Sequence, residues 1–150
     1  MILSRDYIKG FFDGEGCAFI KQKTIIISNT NKNLIDDVRE TLESLNIRTH
    51  LKLGFSKNPK HKTAYQIRIY DYYSNRNFID LIGSNHEEKR KKLFSIIQSY
   101  TRIPLSDTEK DKIIELRKKG LSYQKIAKCV HRSPGTCSRI VKNATITTTQ

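Results

Sequence analysis

Residues 7–16 read YIKGFFDGEG, and the reading of this stretch decides the fold. Tyr7, Ile8, Phe11 and Phe12 recur at i, i+3, i+4 spacing, which predicts an amphipathic helix. Ser4 suits its N-cap, and Asp6 places an acid in the first turn, where the helix dipole favours one. Gly10 falls on the apolar face. A glycine inside a helix costs roughly 1 kcal/mol relative to alanine, so a packing reason is expected: another backbone approaches closely there. Gly14 and Gly16 are expected to end the helix, leaving Asp13 and Glu15 as a close pair of acids at its exit.

Downstream, 17–23 and 24–30 alternate with period two and read as a hairpin joined by a short basic connection. A helix follows from Asn31 or Asn33 to about Leu45, with Leu34, Ile35, Val38, Leu42 and Leu45 as its apolar stripe and Asp36, Asp37, Glu40 and Glu43 on the remainder. Residues 49–57 and 62–71 form a second hairpin around the basic loop SKNPKHK. The shared phase buries Ala18, Ile20, Ile25, Ile27, Leu51, Leu53, Ile67 and Ile69. It exposes Phe19, Lys21, Lys23, Ile26, Ser28, His50, Lys52, Gln66, Arg68 and Tyr70. Two further helices follow, at 73–82 and from Asn85 through Leu93, Phe94, Ile96 and Ile97, and Pro104 closes this region. The expectation is an α+β domain over residues 1–103, in the order αββαββα plus one helix. Its four-stranded antiparallel sheet would have one face under helices and one face wet.

From Ser106 the pattern changes to three short helices, at 107–119, 122–130 and 134–143, with a frayed tail after them. Residues 104–150 therefore read as a small all-α domain. The whole chain holds 28 Lys and Arg against 15 Asp and Glu, a formal +13. Residues 1–105 hold 18 against 11, and 106–150 hold 10 against 4, so both parts are basic and the second more densely. Such an excess points to a polyanionic partner, nucleic acid first. No apolar run approaches the ~20 residues of a membrane span, and the start lacks a secretory signal pattern. The expected location is intracellular, in cytoplasm or nucleoid, with an organelle equally compatible. Cys17, Cys129 and Cys137 are too few and too widely spaced for a disulfide framework. Cys129, His131 and Cys137 lack a fourth ligand for zinc.

Residues 8–16, IKGFFDGEG, resemble the LAGLIDADG motif of homing endonucleases through Gly10, Phe11, Phe12, Asp13, Gly14, Glu15 and Gly16. The departures are Ile8-Lys9 for Leu-Ala and Glu for Asp at position 15. The element order of residues 4–103 is similar to that family as well. The resemblance implies that the motif helix packs against a second copy. With one motif in the chain, that means a homodimer on a partly palindromic double-stranded DNA site. Ile8, Gly10, Phe11, Asp13 and Gly14 would then form the dimer interface. Glu15 would hold Mg²⁺ or Mn²⁺, with the Gly16 carbonyl as a further ligand, because phosphodiester hydrolysis calls for a hard divalent ion. The family also implies a lysine near the metal, for which Lys89 is the first candidate and Lys91 and Lys92 the alternates.

The same resemblance implies that the wet sheet face contacts DNA through Phe19, Lys21, Lys23, Ser28, His50, Lys52, Gln66, Arg68 and Tyr70. Arg68 is suited to guanine and Gln66 to adenine. Lys57, Lys60 and Lys62 are candidates for phosphate contacts. Residues 106–143 resemble a helix-turn-helix of the resolvase or homeodomain kind, with Ser133, Thr136, Ser138 and Arg139 toward the groove. The leading function is a site-specific double-strand DNA endonuclease. A non-catalytic transcription regulator and an RNA-splicing maturase, with RNA as its partner, are the competing classes on the same scaffold.

Overall fold

A computed structural model describes residues 1–54 and 63–147. It divides into two compact units, Met1–Ile103 and Pro104–Gln150. Each is taken by itself.

The first unit begins with α1 (Arg5–Glu15), capped by Ser4, whose hydroxyl accepts the Tyr7 N–H at 3.1 Å. The chain then forms β1 (Gly16–Phe19) and β2 (Thr24–Asn29), α2 (Lys32–Ser44), β3 (His50–Gly54) and β4 (Ala64–Ile69), and finally α3 (Tyr72–Leu81) and α4 (Glu87–Gln98). The four strands make one antiparallel sheet in the order β1-β2-β4-β3, so the second strands of the two hairpins lie side by side at its centre. Helices cover one face, lying over β1, β2 and β4. Ile8, Phe12, Ile25, Ile27, Ile67 and Ile69 are fully buried between the layers, and the Phe12 and Phe78 rings meet edge to face at 5.1 Å. The acids of α2 are drawn into helix-face ion pairs, Lys32–Asp36 at 2.7 Å and Arg39–Glu43 at 2.9 Å.

Several boundaries differ from the sequence expectation. The motif helix does not stop at Gly14; it runs through it to Glu15, and Gly16 caps it by donating its N–H to the Phe12 carbonyl. The first hairpin is shorter than 17–30. Residues 20–23 are a turn, in which Lys23 takes φ 52° and donates its N–H to the Ile20 carbonyl. Ile20 therefore leaves the alternation and is exposed. Leu51 and Leu53 share the helix-side face with Ile67 and Tyr65 but are 39% and 45% exposed. The physical reason is that β3 is an edge strand beyond the main helix cover, so strand phase alone does not bury its residues. Lys57, Lys60 and Lys62 lie outside the described residues.

The second unit holds α5 (Asp107–Lys118), α6 (Tyr123–Val130) and α7 (Pro134–Thr147). Ser106 and Glu109 form a reciprocal capping box at the start of α5, which satisfies two helix-end donors at once. Ile113, Ile126, Ala127, Val130 and Cys137 make its core. His131, at φ 51°, ends α6 in the left-handed region and turns the chain into α7. The last helix continues past Asn143 to Thr147, into the stretch expected to be frayed.

Candidate nucleic-acid interface and metal-binding end

The exposed side of α1 is a stripe of Tyr7, Gly10, Phe11 and Gly14, at i, i+3, i+4, i+7. Tyr7 is 47% exposed and stacks on Phe11 with ring centroids 6.3 Å apart. Among the described residues, and apart from the backbone of α1 itself and the flanking residues, no atom lies within 4 Å of where a Cβ would stand on Gly10 or Gly14. The two glycines are thus small for no reason internal to the described chain, and they leave a flat track along the helix. Phe11 is half-buried beside it. Tyr7 was absent from the expected interface, although its position three residues before Gly10 would have found it. Two expected members do not belong there. Ile8 is fully buried in the sheet–helix core, because it lies on the opposite side of the helix from the glycines.

Asp13 is the second. Its carboxylate accepts from the Ser84 hydroxyl and from the Asn85 N–H at 3.0 Å, in the loop between α3 and α4. From α4, the Lys89 ammonium returns to the last turn of α1, donating to the Phe12 carbonyl at 3.0 Å and the Asp13 carbonyl at 2.7 Å, over the Phe12 ring. A cation at a helix C-terminus also complements the dipole. The two elements are therefore clasped in both directions, and Asp13 faces its own chain rather than a partner. The Lys89 ammonium is thus held by two backbone carbonyls at the end of α1. Lys91 pairs with Glu87 at 2.7 Å on the exposed side of α4, and Lys92 is exposed.

Partial burial pushes the Asp13 carboxyl up, but the Ser84 hydroxyl, the Asn85 and His86 N–H groups and the nearby Lys89 charge outweigh it. The group is held below the ordinary Asp value. A depressed carboxyl stabilises the fold above its unfolded pKa of about 3.9, and that contribution is lost as pH falls through the lower folded value. Asp13→Asn should therefore cost ~1–3 kcal/mol at neutral pH. The gap from the parent should narrow as pH falls below the unfolded value of about 3.9 and through the lower folded one. Urea titrations from about pH 2.5 to pH 7 measure it, and a gap that is constant with pH would refute the clasp.

Glu15 follows at the end of α1. It is exposed and lines a shallow depression with Ser28, Asn29 and Thr30. Gly16 begins β1 opposite Ile27, which sets Glu15 at the margin of the open sheet face, beside the row Ser28–Gln66–Lys52. The donors here are all oxygens, a set that suits a hard divalent cation. Among the described residues no group of three or more His, Cys, Asp or Glu side chains converges, and Glu15 is the one carboxylate lining this depression.

The open face carries a second row, Cys17–Ile26–Arg68–His50. Phe19 stands opposite Thr24, and His50 stacks on Tyr70 at 4.2 Å. The Gln66 Oε1 accepts an Arg68 amino group at 3.1 Å, which couples the two candidate base-reading side chains. Lys21 is exposed in the turn. Lys23 is not presented with it: its ammonium sits 4.4 Å from the Tyr100 ring centroid, and its carbonyl accepts from buried Asn75 at 2.8 Å.

In the second unit the Ser133 hydroxyl accepts the Thr136 N–H at 3.2 Å and pairs with the Thr136 hydroxyl at 2.9 Å. Both serve the start of α7. Ser138 is half-buried and Arg139 exposed on the same helix. Arg132 ties the turn before α7 to Glu109 of α5 at 3.1 Å.

The family profile described as LAGLIDADG-like domain matches residues 3–83. The chain belongs to this family. Its α+β architecture with one four-stranded antiparallel sheet is the LAGLIDADG-like fold. The Replication factor C small subunit of Methanocaldococcus jannaschii is 30% identical over 114 residues, covering 75% of this chain and 6% of that protein. The ATP-dependent DNA helicase Hel308 of the same organism is 28% identical over 101 residues, 61% of this chain and 8% of that one. The chain thus spans less than a tenth of the length of these curated relatives. The full-length DUF199/WhiA structure from Thermatoga maritima is similar with a TM-score of 0.47 and 13% identity, over 91% of this chain and 60% of that one. Among the described residues no helix is long and apolar enough to cross a membrane.

Proposed function

We propose that this LAGLIDADG-like protein is a homodimeric, divalent-metal-dependent endonuclease that cuts double-stranded DNA at a long, partly palindromic site. The observation that carries the reading is the position of Glu15: an exposed carboxylate at the end of a helix whose open side is a glycine track. A single carboxylate among oxygen donors makes half of a two-fold site. Helices approach closely where their contact side chains are small, and two copies joined along Tyr7, Gly10, Phe11 and Gly14 bring two Glu15 carboxylates to one end. Glu15 and the Gly16 carbonyl are the groups suited to hold Mg²⁺ or Mn²⁺, which when bound supplies a polarised phosphate and a more acidic water. Lys89 and Asp13 fix the last turn from which Glu15 projects. The open sheet face, led by Arg68, Lys52 and His50, takes the duplex, and the basic second unit, with Arg139 exposed on α7, extends the footprint. Recurrence of the domain as a small part of two differently named proteins supports a portable element.

The test is incubation of the full chain with a plasmid library and Mg²⁺. Discrete double-strand cuts that vanish with chelator are expected. Binding without cleavage would sink the nuclease reading and leave a DNA-binding regulator. The observation favouring that second reading is that Lys89 is held by carbonyls rather than presented to a substrate.

A further inference from the structure

The open sheet face is chemically divided. The β4 and β3 side presents Arg68, Gln66, Lys52 and His50, whereas the β1 and β2 side presents Cys17, Phe19, Thr24 and Ile26. Where the halves meet, Phe19, Gln22, Thr24, Ile26 and Arg68 line a shallow notch. Its floor is apolar. Ile26 is half-buried between Cys17 and Arg68, Phe19 is 41% exposed, and the Thr24 hydroxyl is turned to the Gln22 carbonyl at 2.9 Å. Beside it, one amino group of the Arg68 guanidinium donates to Gln66, while its Nε is buried without a hydrogen-bond partner among the described residues.

An apolar floor on a face that meets a polyanion needs an apolar counterpart. The edges of major-groove bases offer one, the pyrimidine 5-methyl group, and arginine there pairs best with guanine. Ile26 and Arg68 are cross-strand partners. With strands about 4.8 Å apart and base pairs about 3.4 Å apart along the duplex axis, the two side chains are close enough to address neighbouring base pairs. We propose that the Phe19–Thr24–Ile26 notch receives the 5-methyl group of a pyrimidine next to a guanine read by Arg68, which makes Phe19 a specificity-determining residue. The inference rests on the DNA-binding part of the function proposed above and not on cleavage.

The experiment recovers duplexes from a random pool with the full chain, without metal, and then replaces each thymine of the recovered site in turn by uracil. At one position, next to a guanine, removal of the methyl should weaken binding about fourfold, the worth of one buried methyl. Cytosine and 5-methylcytosine at that position should differ in the same sense, which separates methyl recognition from recognition of thymine as a whole. Phe19→Ala should bring thymine and uracil forms to within roughly twofold of each other at that position while keeping the guanine preference, which Arg68→Ala should remove. Equal binding of methylated and unmethylated forms everywhere, with duplexes still recovered, overturns the notch assignment alone. Failure to recover any duplex overturns the DNA reading and this inference with it.

Discussion

Glu15→Gln should abolish the proposed cleavage, by at least about a hundredfold, and leave DNA binding intact or slightly tighter. The size follows from the several kcal/mol that a metal ion contributes at a phosphoryl centre, with each 1.4 kcal/mol a factor of ten. The sign on binding follows from charge: the substitution removes one negative group from the margin of the face proposed to meet phosphates. Folding should be nearly unaffected, because the side chain is exposed and such changes usually stay within about 0.5 kcal/mol. Single-turnover cleavage and gel-shift titrations on the same preparation measure both quantities. Normal cleavage by the variant would show that Glu15 is not the ligand. Asp13→Asn is the natural comparison. It lies two residues away, but its carboxylate is clasped to Ser84 and Asn85, so its effect should enter through stability and follow the acid limb of unfolding.

The difference between these two acids marks the limit of what the sequence discloses. Period-two alternation places Arg68, Gln66, Lys52 and Ile26 on one face and Ile25, Ile27 and Ile67 on the other, and the strand register agrees. That much is legible because side-chain direction in a strand is a local property. What Asp13 touches is decided by a loop more than seventy residues away, and no local period reports it. The same holds for Lys89, whose basic neighbours suggest a solvated helix start, whereas its ammonium reaches back to α1. Leu51 and Leu53 fail for a related reason. Their phase is right, but burial depends on which strand ends up at the sheet edge, and that is topology. The hydrogen bond that couples Gln66 to Arg68 is likewise invisible in their two-residue spacing, which reports only that they share a face.

The glycine track supports the second large effect, and here two expected changes have opposite signs. Gly10→Leu should stabilise the isolated chain, because replacing an exposed helix glycine gains roughly 1 kcal/mol of helix propensity. Among the described residues outside the helix backbone and the flanking residues, nothing lies within 4 Å of where the new Cβ would stand. The same substitution should abolish the dimer and cleavage with it, because a leucine would hold apart two helices that can approach closely only along small residues. Sedimentation across a concentration series and urea unfolding of the same variant measure the two effects. A loss of assembly caused by general misfolding would lower stability instead of raising it. Gly16→Ala supplies the contrast. A Cβ there would overlap the buried Phe12 ring, so about 1–3 kcal/mol of stability should be lost through overpacking, with no specific effect on association beyond that loss. If Gly10→Leu sediments as the parent does at every concentration, the exposed face of α1 is not where two copies meet, and Glu15 would have no second carboxylate to complete its site.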